Sequence, residues 1–101
     1  MNYDSLALEW LRKHLGHTVK INEIGYESTM FDYDELDKTL VPEKYVSIFK
    51  KYKQIQAHVY LYDSILIYML LPFNQAVPTF ILIGLVDNDF LIRYQLIKGE
   101  E

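Results

Sequence analysis

A row of glutamine, histidine and tyrosine side chains is the feature of this sequence best suited to binding chemistry. From Gln54 to Tyr62, polar or aromatic residues alternate with apolar ones. Successive side chains of a strand point to opposite faces, so His58, Tyr60 and Tyr62 are expected to share one face. Tyrosine combines a rigid aromatic body with a hydroxyl group, which suits the binding of a protein or a ligand. The same pattern also fits tyrosines at the edge of a core covered by the second helix, and the sequence leaves both interpretations open.

Another candidate for binding chemistry is the neighbouring pair Arg93 and Tyr94, which lies in a polar segment near the end of the chain. Together with His58 and Tyr60, this pair could cleave a phosphodiester bond, as small ribonuclease toxins do, provided that His58 and Arg93 meet a carboxylate in a cleft. A protein that binds RNA is expected to be basic, whereas this chain has a formal net charge of -4. The serines lie in capping or turn contexts without a nucleophile elbow. We therefore predict no catalytic residues, and a toxin-like hydrolase is the least favoured alternative.

Four carboxylates are concentrated in one short segment: Asp32, Asp34, Glu35 and Asp37. The spacing of the first two is similar to the start of a calcium loop, but Leu36 occupies the next ligand position and the required glycine is missing. We predict no metal site. Acidic residues in a first helical turn commonly interact with the helix dipole. Alternatively, the segment forms an acidic patch that docks on a basic surface of a partner.

Length and composition restrict the class of protein further. A chain of 101 residues is expected to form one domain, residues 1–101, with a single core. The absence of cysteine excludes disulfides, thiol catalysis and zinc-cysteine sites, and we predict no cofactor. The first residues contain no basic segment leading into an apolar stretch, so we expect no signal peptide and a cytoplasmic location.

Two apolar runs, residues 65–71 and Phe80–Val86, determine the expected fold. Each is far shorter than the roughly 20 apolar residues of a spanning helix, and the segment 72–78 between them is too polar to continue one. The flanking segments Gln54–Tyr62 and 90–97 are more polar, and short connections suit tight hairpins. The pattern predicts a four-stranded antiparallel meander whose two inner strands are buried.

The first half of the chain predicts helices and one more strand. Asp4 or Ser5 is expected to cap a first helix that Gly16 ends. Alternating apolar residues predict a strand over 17–26, in which Gly25 marks a bulge.

Asp32 and Glu35 match a capping box for a short helical turn that continues to Leu40. Pro42 suits the first position of a second helix that lysines end near residue 53. The predicted order is α-β-α-α-β-β-β-β. The chain is therefore expected to be an α+β protein with about five mostly antiparallel strands and two to three helices.

The expected function follows from these bulk properties. The sequence predicts a small acidic protein-interaction module that binds another macromolecule, of the inhibitor or immunity type, and the main alternative is a small-ligand binder with a tyrosine-lined pocket. Inner strands that are apolar on both faces need cover on both sides. If the two helices cover one face, a second copy of the chain or a protein target covers the other, so a homodimer is expected. Nucleic acid and membrane are not expected partners.

Overall fold

One antiparallel sheet with a helix on each face forms the framework of the protein. The computed structural model describes residues 2–73 and 78–99. Five strands lie in chain order across the sheet: β1 (Gly25–Asp32), β2 (Gln54–Tyr62), β3 (Ile65–Pro72), β4 (Phe80–Val86) and β5 (Ile92–Lys98). The α-helices are α1 (Tyr3–Leu15) and α2 (Glu43–Phe49). The predicted α+β class and the C-terminal meander are confirmed.

The strands of the meander agree closely with the apolar and alternating segments of the sequence. β2 and β4 begin and end at the predicted residues, β3 continues one residue further, and β5 begins two residues later than predicted. Asp63 has a φ of 54° in the two-residue turn between β2 and β3, a conformation that a short aspartate side chain tolerates. In the connection between β3 and β4, residues 74–77 lie outside the described residues.

The first helix begins earlier than predicted, because its cap is Asn2 and not Asp4 or Ser5. The Ser5 backbone N–H donates a hydrogen bond of 3.1 Å to the Asn2 side-chain oxygen. Gly16 ends the helix as predicted: its φ is 81° and its N–H donates to the Arg12 carbonyl over 2.8 Å. Glycine adopts this left-handed conformation without a steric penalty.

The prediction of a strand over 17–26 is wrong. That segment contains a 3₁₀ turn (Ile21–Glu23), and the strand that pairs with β2 begins only at Gly25. In a strand, Val19 and Ile21 would point to the same face, but Val19 is buried in the core while Ile21 is exposed. Pairing with β2 fixes the bounds of β1, since the register runs from Gly25 opposite Leu61 to Asp32 opposite Gln54.

The second helix is shorter than predicted, and the turn before it is not capped as predicted. The helical turn expected to reach Leu40 is a 3₁₀ turn (Tyr33–Glu35), and the Asp32 side chain makes no capping hydrogen bond to it. Pro42 lies just outside α2, which ends at Phe49. The chain must turn there to enter β2, and the Tyr33 N–H donates to the Lys53 carbonyl over 3.0 Å beside this turn.

The helices lie on opposite faces of the sheet, which corrects the premise of the expected dimer. Side chains of β3 alternate between two separate cores. Ile67 and Met69 pack with Ala7 and Leu11 of α1, and we call this side of the sheet the α1 face. Tyr68 and Leu70 pack with Phe49 of α2 on the other side, the α2 face. The oligomeric state itself stays a prediction.

Within the described part of the chain, no helix has the length and apolar character needed to cross a membrane.

Candidate protein-binding surface

The α2 face is covered at one end and exposed at the other. Residues in register form a row across the strands, and the row of Ala57, Leu70 and Leu82 is buried beside α2. The last row at the opposite end of the strands consists of Leu61, Leu66, Val86 and Ile92. Leu61 is 50 % exposed, and Leu66 and Val86 are only half-buried.

The length of α2 explains why this row is exposed. Its seven residues span roughly 10 Å at 1.5 Å per residue. The nine residues of β2 span roughly 30 Å. A helix of this length covers only part of the α2 face. On the remainder, the described part of the chain leaves apolar side chains uncovered.

The hairpin turn between β4 and β5 adds further apolar surface beside this row. Phe90 is 85 % exposed, and Leu91 next to it is also exposed. Asp87 organises the turn, because its side-chain oxygen accepts hydrogen bonds from the backbone N–H groups of Asp89 and Leu91 at 3.0 and 3.2 Å. The hydrogen bond from Arg93 to Asp87 lowers the pKa of this carboxyl group. We call the exposed apolar row the open end; it comprises Leu61, Leu66, Val86 and Ile92, and the exposed Phe90 lies in the turn next to it.

An apolar groove of about 200 Å³ joins the open end through Leu66. The groove lies between the first three strands and the loop after β1. Its lining is mainly apolar: Phe31, Leu36, Leu40, Val59, Leu66 and Tyr68. Glu35 and Asp37 belong to the same lining, so two carboxylates of the acidic segment stand at the edge of the groove.

Tyr68 closes the inner side of this groove. Its hydroxyl donates a hydrogen bond to the Leu40 carbonyl, and burial raises its pKa to about 12. The ring lies directly against Gly84 of the next strand, where a Cβ atom would overlap it. The absence of a side chain at Gly84 therefore lets a tyrosine ring cover the middle of the α2 face.

The charged residues around the groove and the open end are mainly acidic. Glu27 is in register with Val59 on the α2 face, and Asp63 and Asp89 lie in the two neighbouring turns. All three are exposed, as are Glu35 and Asp37. One cation, the Lys44 ammonium group, also lies on the α2 face, 5.3 Å from the centre of the Tyr94 ring. The combination is an apolar surface with a carboxylate rim.

The structure separates the predicted site residues into several places. Glu35 and Asp37 border the groove, whereas Asp32 and Asp34 line a different depression together with Lys50, Lys51 and Lys53. Asp37 also accepts a hydrogen bond of 3.0 Å from the Thr39 N–H. The acidic segment is thus divided between two surfaces, of which only one is apolar.

His58 and Tyr60 are buried beneath α1, so the strand face that carries them is not an open platform. His58 is 7 % exposed and Tyr60 is 1 % exposed. The covering helix is α1 and not the second helix. The Tyr3 ring of α1 stacks on His58 with 4.2 Å between ring centres, and the Tyr26 hydroxyl lies 2.7 Å from His58 Nδ1.

The hydroxyl of Tyr60 is also engaged. It donates a hydrogen bond of 2.6 Å to Asp4 Oδ1, and burial together with this carboxylate raises the pKa of Tyr60. Burial lowers the pKa of His58, because the imidazolium would lose its hydration. His58 Nε2 is buried without a hydrogen-bond partner among the described residues. These side chains join the start of α1 to β1 and β2.

The remaining predicted residues do not join His58. Tyr62 is half-buried and packs against the core of the α1 face. Arg93 lies on β5, with β3 and β4 between it and the strand of His58, and its Nη1 contacts Asp87 at 2.8 Å. Tyr94 packs edge-on against Tyr45 of α2, with ring centres 5.7 Å apart. The cleft required for a His58–Arg93 hydrolase site does not form in the described structure.

Sequence reasoning misses the apolar residues of the open end. The apolar runs predict Leu66 and Val86 as interior positions of inner strands, and alternation predicts Leu61 only on the apolar side of an outer strand. The available signal is the high apolar content, 50 % of the chain, which suggests more apolar surface than one small core can hide. Assigning that surplus to one end requires the position and length of α2.

The described residues contain no group of three histidine or acidic side chains that could hold a metal ion. None of the protein-family models, curated proteins and solved structures compared with this chain matches it.

Proposed function

We propose that this protein is a protein-binding module whose contact surface is the open end of the α2 face and the adjoining groove. The main support for this proposal is the exposed apolar row that includes Leu61 and Leu66. Phe90 in the neighbouring turn extends it. Contiguous exposed apolar surface bordered by polar residues is typical of protein-interaction sites. The proposal assigns binding, and no catalytic step, to this surface.

The partner that fits carries an apolar anchor flanked by lysine or arginine. An apolar side chain of about the size of leucine would enter the groove beside Leu40 and Tyr68. Basic side chains next to it would face Glu35 and Asp37 at the edge of the groove. Complementary charge directs association and selects among partners. An acidic protein that covers a basic, apolar surface of its partner would act in the manner of an inhibitor or an immunity protein.

The same rim disfavours a dimer through this surface. In a two-fold dimer, each patch faces its own copy. Asp63 and Asp89 would then approach the equivalent carboxylates of the second chain, and like charges at an interface oppose association. A different protein with a basic rim satisfies both the apolar surface and its charges.

The tyrosine-lined depression on the other face supports small-ligand binding less well. It is a shallow groove at the start of α1, lined by Tyr3, Asp4, Tyr26 and Tyr60 among others. The Tyr60 hydroxyl already donates to Asp4, and the Tyr26 hydroxyl already contacts His58. A ligand would have to displace these hydrogen bonds.

A random peptide library displayed on phage tests the proposal, because the selection itself identifies which peptides bind. Peptides selected on the wild-type protein are expected to combine an apolar anchor with nearby lysine or arginine. Synthetic versions of the enriched peptides would then be measured by isothermal titration. Leu61→Lys should weaken their binding at least about tenfold, because it places a charge in the apolar surface and repels basic residues.

Met30→Lys is the matched control. Met30 is 47 % exposed, close to the value of Leu61, but its register opposite Gln56 places it on the α1 face. This variant should bind the peptides as the wild type does. Failure to enrich such peptides, or equal losses in the two variants, would contradict the proposed surface.

A further inference from the structure

Another groove, of about 400 Å³, lies on the α1 face between α1 and the edge strand β5. Its lining residues are Trp10, Lys13, His14, Leu85, Arg93 and Gln95. It is separate from the open end, which belongs to the opposite face of the sheet. It also involves none of the tyrosines at the start of α1.

The positions of α1 and β5 explain how the groove forms. Lys13 and His14 follow Trp10 by three and four residues, so both project from α1 beside Trp10. Arg93 is in register with Leu85, and both belong to the α1 face. The core of that face contains residues of β2, β3 and β4, whereas Arg93 and Gln95 of β5 remain exposed. The edge strand therefore forms an outer wall that α1 does not cover.

The groove combines an apolar floor with cationic walls. Leu85 is buried and Trp10 is half-buried, and together they supply an apolar surface. Lys13 and Arg93 carry positive charge on opposite sides, with side chains 64 % and 51 % exposed, and each already contacts one carboxylate: Lys13 contacts Glu9 at 3.2 Å and Arg93 contacts Asp87 at 2.8 Å.

Arg93 is already oriented, and part of its hydrogen-bonding capacity remains for a ligand. Its Nη1 donates to Asp87 Oδ2 over 2.8 Å. A guanidinium group carries five N–H donors. Among the described residues, Nη1 is its only nitrogen with a carboxylate partner. Asp87 thus holds the guanidinium group in place, and its other nitrogens can engage an anion.

We propose that this groove binds a small organic carboxylate with an apolar body. The carboxylate would accept hydrogen bonds from Arg93 and attract Lys13, while the apolar body would lie against Trp10 and Leu85. Arginine suits this role because its planar donors match the geometry of a carboxylate. A neutral analogue of the same shape would keep the apolar contact and lose the ionic one.

The single tryptophan makes this binding directly measurable, since Trp10 lines the groove. The probe is 4-phenylbutyrate, and its uncharged amide, 4-phenylbutyramide, is the ligand control. Titration of the carboxylate should change the Trp10 fluorescence in a saturable way, and the amide should bind at least about tenfold more weakly. No saturable change with the carboxylate, or equal binding of the amide, would overturn the proposal.

Two variants and one control locate the site. Arg93→Gln removes the group that would bind the carboxylate. Gln95→Trp fills the groove without changing its charge. Because this second variant adds a tryptophan, its binding is measured by calorimetry. Both should weaken binding at least about tenfold. Arg12→Gln makes the same charge change at an exposed arginine of α1 outside the groove lining, and it should leave binding unchanged. Equal weakening by Arg12→Gln and Arg93→Gln, or unchanged binding in Gln95→Trp, would contradict a site in this groove.

Discussion

The two faces of the sheet receive different cover from the same chain. On the α1 face, thirteen helical residues pack against the inner strands. A hydrogen bond from Tyr60 to Asp4 joins β2 to the start of the helix, and one between Tyr26 and His58 joins β1 to β2. On the α2 face, seven helical residues and a loop cover one end, and apolar residues remain exposed at the other. Because β3 and β4 contribute to both faces, the contrast arises from the covering elements. We infer that the α1 face mainly stabilises the fold and that the α2 face also provides the contact surface.

The largest expected effect is a difference in stability between lysine substitutions on the two faces. Ile83 is 0 % exposed in the core of the α1 face, whereas Leu66 is half-buried at the open end. Ile83→Lys should lower the free energy of unfolding by about 3–5 kcal/mol, since it buries an unpaired charge. Leu66→Lys should lower it by less than about 1 kcal/mol, because the ammonium group can reach water. Urea denaturation measures both values, and equal losses would contradict the difference between the faces.

A smaller loss of stability is expected when the packing of Tyr68 in the middle of the α2 face is disturbed. Gly84→Ala should lower the free energy of unfolding by about 1–3 kcal/mol, because the new methyl group overlaps the Tyr68 ring. Gly25→Ala is the control, since a Cβ atom there would meet only the Leu61 carbonyl oxygen, at 3.7 Å, and the Leu61 Cβ, at 4.0 Å. Thermal unfolding should show a clear loss only for Gly84→Ala. Equal stability of the two variants would mean that Tyr68 does not depend on this space.

The smallest expected effect concerns pH and the α1 face. Burial lowers the pKa of His58 below its ordinary value of 6.5, so the unfolded chain binds a proton more readily than the folded one. Stability should therefore decrease as the pH falls below about 6.5, towards the lower pKa of the folded state. His58→Phe keeps a ring beside Tyr3 and cannot be protonated, so its stability should change less over that range.

His17→Gln provides the comparison for this pH dependence, because His17 is exposed. It should retain the wild-type slope of unfolding free energy against pH. A wild-type slope in His58→Phe would show that other groups, and not this buried histidine, cause the dependence.

The meander could be predicted because its signals are local. Runs of apolar residues between short turns identify β3 and β4, and alternation identifies β2. The segment before β1 misled the same reasoning, since Val19 enters the core from a loop and imitates one position of a strand. The start of β1 depends on pairing with β2, which is a contact between distant parts of the chain.

The candidate surfaces could be predicted only in part. The acidic segment is visible in the sequence, but its position beside an apolar groove depends on how the loop after β1 folds onto Leu40 and Tyr68. His58 and Tyr60 are recognisable as an unusual row, yet their burial depends on where α1 packs. Arg93 and Trp10 are far apart in sequence, so no local pattern could place them in one groove.

The most direct test of the central claim is a methyl-resolved NMR titration with a peptide selected on the wild-type protein. Methyl groups of β3 and β4 distinguish the two faces, because Leu66 and Val86 belong to the α2 face while Ile67 and Ile83 belong to the α1 face. We expect the signals of Leu66 and Val86 to shift with the peptide, and those of Ile67 and Ile83 to remain in place. Shifts concentrated on Ile67 and Ile83 would contradict the assignment of the contact surface to the open end.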